Sequence, residues 1–238
     1  MHSLIALLVM LTSPPLTKAD YSVDTLVMAS VILNETRNIL IFQPAGYQKT
    51  DSVTILYLLD GEFSPGRYDK ISLEYSGRPV IGIGIINTER NRDLLPAKQP
   101  EPFLSFIEKE LIPAVEKNYY LAERILFGHS FGGAFTLYAM IQSPGLFNKY
   151  IASSPTPIMN MVDTRIYLHL DNQLNKSVAF YFSFGSKDMK QVVRWCKVLN
   201  NNLQPLTFKH IHWIHEVNEG ENHNTNDRVS LTKAFQAF

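Results

Sequence analysis

Three features of the sequence predict an α/β fold built on a mainly parallel sheet. β-type runs alternate with helical periodicity from one end of the chain to the other. Residues 52–59 and 79–86 are nearly continuous apolar runs, the pattern of strands covered on both faces. With 238 residues the chain can bury a sizeable core as one domain.

The elements follow in order. Residues 24–33 and 37–44 are β-rich and flank Asn34-Glu35-Thr36, which suits a hairpin, so the sheet is expected to begin with antiparallel strands. The runs 52–59 and 79–86 come next. Within 102–119, Phe103, Phe106, Ile107, Leu111, Ile112 and Val115 recur at helical spacing. A strand at 124–127, a helix at 132–142, a strand at 150–152 and a helical segment near 161–174 continue the alternation. A strand at 178–184, a helix at 189–201, a strand at 207–217 and a final helix from about Val229 complete it. Such alternation places helices on both faces of the sheet. No linker or repeat interrupts it, and residues 20–238 read as one domain.

Composition narrows the function classes. With 45% hydrophobic and 18% charged residues the chain is neither disordered nor fibrous. Lys plus Arg and Asp plus Glu both number 22, so there is no basic footprint for nucleic acid or an anionic membrane. The apolar run Leu4 to Leu11 is too short to span a bilayer but has the length of a signal-peptide core. Pro14 and Pro15 follow it, and Thr17 and Ala19 stand at the −3 and −1 positions of a cleavage before Asp20. A leader over residues 1–19 is therefore expected, with a periplasmic or secreted mature protein and no membrane insertion after cleavage. The single cysteine, Cys196, has no internal disulfide partner and reads as a buried thiol.

Gly128-His129-Ser130-Phe131-Gly132 fits Gly-x-Ser-x-Gly between a strand and a helix. Such a turn strains the serine and brings backbones so close that side chains at the glycine positions would collide. A nucleophilic serine needs a histidine base, and the base needs an acid, in the chain order serine, acid, histidine. Asp188, just after the strand at 178–184, meets the acid requirement, with helix capping as its alternative role. His223, in the polar loop Gly220-Glu-Asn-His-Asn224, stands where the base belongs. His210, His212 and His215 lie in or beside a strand that turns the third away from the first two, so no metal is expected there, and no cofactor. The oxyanion would be met by the N–H of Phe131 and by a second donor from Gly61, Glu62 or Phe63, after the strand at 52–59.

These segments together resemble the putative esterase family of α/β-hydrolases, which includes esterase D type enzymes and the enterobactin and bacillibactin trilactone esterases. The likeness is carried by residues 37–47, Tyr57-Leu-Leu-Asp-Gly-Glu62, 87–96, 103–119, 126–139 and 146–155. It implies an α/β-hydrolase fold with Ser130 as nucleophile, Asp188 as acid and His223 as base. In the siderophore esterases an arginine of the segment matching 87–96 helps hold an anionic catecholate. Arg90 and Arg92 occupy that segment, with plain surface charge as their alternative role, and His129, inside the turn, is a third candidate for contacting substrate. The expected function is a serine hydrolase that cleaves small-molecule carboxylic esters through an acyl-enzyme. The alternatives are a siderophore trilactone esterase, an acyltransferase of related fold, and a binding protein that keeps the fold without catalysis.

Overall fold

Side chains that alternate across buried strands decide how the layers stack. The computed structural model describes residues 21–71, 74, 75 and 77–238, and the leader expected at 1–19 lies outside them. β1 (Tyr21–Ser30) and β2 (Glu35–Pro44) form the antiparallel hairpin, and β2 pairs antiparallel with β5 (Arg78–Ile85). From β5 the sheet is parallel through β3 (Ser52–Leu58), β6 (Tyr120–His129), β7 (Lys149–Ser153), β8 (Val178–Gly185) and β9 (Ile211–Asn218). The short β4 (Glu74–Tyr75) lies antiparallel to β5.

On β3 the side chains of Val53, Ile55 and Tyr57 enter one core. That core also holds residues of α3 (Glu101–Phe106), α4 (Ile112–Glu116), α5 (Phe131–Gln142), α6 (Thr164–Gln173) and α7 (Lys190–Leu203). Leu56 and Leu58 point the other way, against Tyr68 of α1 (Ser64–Tyr68) and Leu231 and Ala234 of α8 (Asn226–Ala237). Helices therefore cover both faces, and the parallel strands all end on one edge. Among the described residues no helix is long and apolar enough to cross a membrane. Cys196 is buried, and burial pushes its thiol pKa up.

Three of the departures from the sequence expectation have a plain physical cause. β1 stops at Ser30 instead of residue 33, because Glu110 accepts hydrogen bonds from Ser30 Oγ and from the N–H groups of Val31 and Ile32, which curls the apolar segment into a turn. The helix expected over 102–119 contains a π-turn at Ile107–Leu111, where the Ile112 N–H reaches the Ile107 carbonyl. Pro113 follows and has no N–H to continue the α-helical ladder. β9 begins at Ile211, not at 207, since Asp171 accepts the N–H groups of Lys209, His210 and Ile211 and bends the chain before it.

The segment leading to the site is anchored by a charge cluster. Arg37 on β2 is fully buried, and its Nη2 lies 2.6 Å from Asp93 and 2.5 Å from Glu35, while its guanidinium stands over the Phe103 and Phe106 rings. Arg92 bonds the same two carboxylates at 2.8 Å each. Its hydrogen bonds lead in holding the Glu35 carboxyl down at about 2. Asp93 and Arg92 belong to α2 (Arg90–Leu94), so β2 clamps α2 beside the strand ends. Removing one member of a buried pair strands its partner's charge. Arg37→Ala should therefore lower the unfolding free energy by about 3–5 kcal/mol in urea titration. Arg92→Ala, at the exposed side of the cluster, should cost about 1 kcal/mol or less.

Candidate active site

The turn after β6 is as tight as its glycines require. Ser130 sits at φ 59°, ψ −114°, a conformation that costs a non-glycine residue about 1–3 kcal/mol. A Cβ on Gly128 would lie 2.1 Å from the Gly132 carbonyl oxygen, and one on Gly133 would lie 2.9 Å from the Ser153 carbonyl oxygen. The Ser130 N–H bonds the Ser153 carbonyl at 2.9 Å, and its own carbonyl accepts from Ala134 and Thr156 at 3.0 Å each. These bonds hold the hydroxyl at the mouth of the sheet edge, ahead of α5.

Asp188 and His223 reach the same point from the loops after β8 and β9. Gly185 lets those loops meet, since a Cβ there would lie 2.2 Å from the Glu221 carbonyl oxygen. His223 Nδ1 lies 2.8 Å from Asp188 Oδ1, and Nε2 lies 2.9 Å from Ser130 Oγ. Burial pushes the Asp188 carboxyl pKa up, but hydrogen bonds from His223, Ser154 Oγ and the Met189 N–H outweigh it and leave the net shift downward. An ionised Asp188 is an acceptor only, so His223 donates from Nδ1 and its Nε2 is free to accept the Ser130 proton. Asp188 Oδ1 also accepts the Met189 N–H at 2.7 Å, just before α7, but Met189 itself is the N-cap residue of that helix and no side chain caps it.

Behind the acid lies a buried polar network that the sequence reading did not single out. Ser154 donates to Asp188 Oδ2 at 2.5 Å and accepts from Asn226 Nδ2 at 2.9 Å. Asn226 also donates to Ser153 Oγ at 3.2 Å, and its Oδ1 accepts from Asn218 at 2.7 Å. Ser153 Oγ in turn lies 3.1 Å from His129 Nδ1. The His129 and His223 rings pack with centroids 4.8 Å apart. Burial, and next the neighbouring His223, push the His129 pKa down to about 4. The sequence signal for the network was a pair of serines ending one strand and an asparagine opening the last helix, residues equally common in ordinary turns.

Ser130, His129, His223, Arg90 and Glu62 line one cavity of about 610 Å³. Phe131 opens α5, so its N–H belongs to the first helical turn and has no intrahelical acceptor. The 3-10 turn Gly61–Phe63 makes its first bond from Phe63 to Asp60, which leaves the N–H of Glu62 ahead of that ladder. Gly61 is not on the cavity wall; its Cβ would strike the β5 backbone, 2.5 Å from the Ile85 carbonyl carbon. Gly61 thus permits a close approach, and Glu62 presents the wall.

The two arginines part company. Arg90 lines the cavity, but it is bound to Asp60 through Nε at 2.6 Å and Nη2 at 2.8 Å, and it lies 4.8 Å over the Phe131 ring. Its hydrogen bonds to Asp60 lead in raising its pKa. Arg92 is not on that wall, because Glu35 and Asp93 hold it in the cluster described above. The expected place for Arg92 at the substrate is thereby corrected. Of the strand histidines, His212 is exposed and His215 stacks on Phe182 at 4.5 Å.

A family model described as Putative esterase matches residues 30–233. The chain is 26% identical over 217 residues to the Ferri-bacillibactin esterase BesA of Bacillus subtilis, covering 75% of this chain and 74% of that one. It is 28% identical over 153 residues to the siderophore enterobactin esterase of Emericella nidulans, covering 49% and 50% of the two chains. Among solved structures, the BES protein of Bacillus cereus superposes with a TM-score of 0.80 at 21% identity, over 96% of this chain and 98% of that one.

His129 gives the site a pH signature. Its folded pKa of about 4 lies below the ordinary 6.5, so the folded state favours the neutral ring. The stability this confers is complete above pH 6.5 and is lost as pH falls from 6.5 towards 4. His215, lowered by burial, acts with the same sign, whereas the lowered Asp188 loses its contribution only below its ordinary 3.8. Thermal unfolding measured between pH 7 and 4.5 should show a decline that is smaller in His129→Gln, by on the order of 2 kcal/mol. Parallel pH curves for the two proteins would contradict this assignment.

Proposed function

The chain belongs to the putative esterase family of α/β-hydrolases, enzymes of ester-bond hydrolysis, and from that premise we propose that Ser130, His223 and Asp188 form its catalytic triad. The observation that carries the reading is the unbroken chain from Ser130 Oγ through both ring nitrogens of His223 to Asp188. His223 Nε2 takes the hydroxyl proton as Ser130 Oγ attacks the ester carbonyl carbon. Asp188 holds the ring in the tautomer that can accept, and then stabilises the imidazolium. The negative oxygen of the tetrahedral intermediate meets the N–H groups of Phe131 and Glu62. As the intermediate collapses, His223 returns the proton to the departing alkoxide and leaves an acyl group on Ser130. Water, deprotonated by His223, then attacks that acyl carbon and releases the acid.

A siderophore ester is the more specific reading of the substrate, and it is favoured by the names of the relatives, which act on bacillibactin and enterobactin esters. The apolar leader-like run at 4–11 supports export, with the hydrolase acting outside the cytoplasm.

Turnover of an activated short-chain ester tests the mechanism. Ser130→Ala should lose about 10⁴-fold or more in kcat, and Asp188→Asn about 10³- to 10⁴-fold, with both variants still folded by circular dichroism. A fluorophosphonate probe should label the wild type and not Ser130→Ala. Wild-type turnover by Ser130→Ala would end the triad reading.

A further inference from the structure

The cavity at Ser130 carries guanidinium groups that the mechanism does not use. Three arginines line it: Arg67, Arg90 and Arg228. Arg67 is buried, bonded to Asp227 at 3.1 Å and to the Leu59 carbonyl at 2.7 Å. Arg90 is neutralised by Asp60 in a two-point pair. The two carboxylates on the wall are engaged as well, Asp227 by Arg67 and Glu62 by Asn87, whose Nδ2 donates at 2.9 Å. Among the described residues, no carboxylate or carbonyl pairs with the Arg228 guanidinium.

Its position is nevertheless built. Gly66 sits inside α1, where a glycine costs roughly 1 kcal/mol relative to alanine. Its backbone does not demand glycine, since its φ is not in the positive range. The atoms nearest an added Cβ all belong to the Arg228 guanidinium: Nη2 at 3.1 Å, Cζ at 3.5 Å and Nε at 3.7 Å. With no side chain at Gly66, the exposed Arg228 guanidinium lies close against α1 on the wall that also holds Ser130 and His223. Phe63, 59% exposed, adds an apolar surface beside it on the same wall.

We propose that Arg228, seated on Gly66, is a specificity-determining residue that binds a carboxylate or equivalent oxyanion on an arm of the ester substrate. A guanidinium presents paired N–H donors that match a carboxylate in two-point geometry. The cavity supplies no other cation without a protein partner, so an anionic arm is drawn to that wall while the ester carbonyl meets Ser130. The inference rests on the esterase reading and adds to it the charge class of the substrate.

The test uses two activated esters of matched shape, 4-nitrophenyl hydrogen adipate and the neutral 4-nitrophenyl 6-methylheptanoate. Wild type should favour the adipate through a lower KM. Arg228→Gln should lose about tenfold in kcat/KM for the adipate and leave the neutral ester unchanged. Gly66→Ala, which crowds the guanidinium at 3.1 Å without removing its charge, should lose a small part of the same preference, and Arg228→Lys should retain part. Equal losses on both esters, or a wild type that does not distinguish them, would overturn the proposal. Binding of both esters to Ser130→Ala keeps the two readings separate. A tighter Kd for the adipate that depends on Arg228 upholds the anion site even if turnover fails, and its absence there overturns the site alone.

Discussion

The backbone of Ser130 is the constraint on which the rest of the structure depends. At φ 59° and ψ −114° the residue stays in place only because its neighbours leave it no alternative. The Ser153 carbonyl takes its N–H, and Ala134 and Thr156 converge on its carbonyl. The first of these contacts requires β7 beside β6, and the packing of Gly132 against Leu59, whose Cβ would be 3.3 Å from an added methyl, requires β3 on the other side. The strand order and the exposed hydroxyl are therefore one fact. The same strand edge brings the loops after β8 and β9 within reach, and at Gly185 the two backbones touch.

Once the hydroxyl is fixed, the side chains of Asp188 and His223 must be held beside it. The protein does this with small polar groups instead of apolar packing. Ser153, Ser154, Asn218 and Asn226 are all at most 1% exposed, and their bonds run from Asp188 round to His129. A buried network of this kind specifies one arrangement of the loops that carry it, and here one of its acceptors, Asn218 Oδ1, is buried without a hydrogen-bond partner. His129 fits the same logic, as burial favours its neutral ring where it packs beside His223.

The parts of this arrangement that sequence reveals are those with a period or a chain order. Buried strands show as continuous apolar runs, and the elbow shows as glycines about a serine between a strand and a helix. Asp188 and His223 show because they follow Ser130 in the serine, acid, histidine order that the fold sets. What sequence hides are contacts whose partners are far apart in the chain. Glu110 ends β1 from 80 residues away, and Asp171 delays β9 across 39 residues to His210. Asn226 reaches Ser154 across 72 residues. Each involves a common polar residue with no local pattern, so nothing nearby in the chain distinguishes it from a residue facing solvent.

Charge illustrates the limit most sharply. Equal numbers of acidic and basic residues, 22 of each, exclude a global field but leave local fields undetermined. The resemblance to siderophore esterases points to Arg90 and Arg92. Asp60 binds the first, and Glu35 and Asp93 bind the second, so each serves to hold α2 against the sheet. Arg228, five residues beyond His223, has no motif to mark it. It stands out only after every carboxylate around the cavity has been matched to its partner, and the glycine beside it lies 162 residues earlier, in α1. A cation's availability to a ligand is thus a property of its neighbours in space, and beside Ser130 it is Arg228, rather than the arginines of the segment 87–96, whose guanidinium has no carboxylate partner among the described residues.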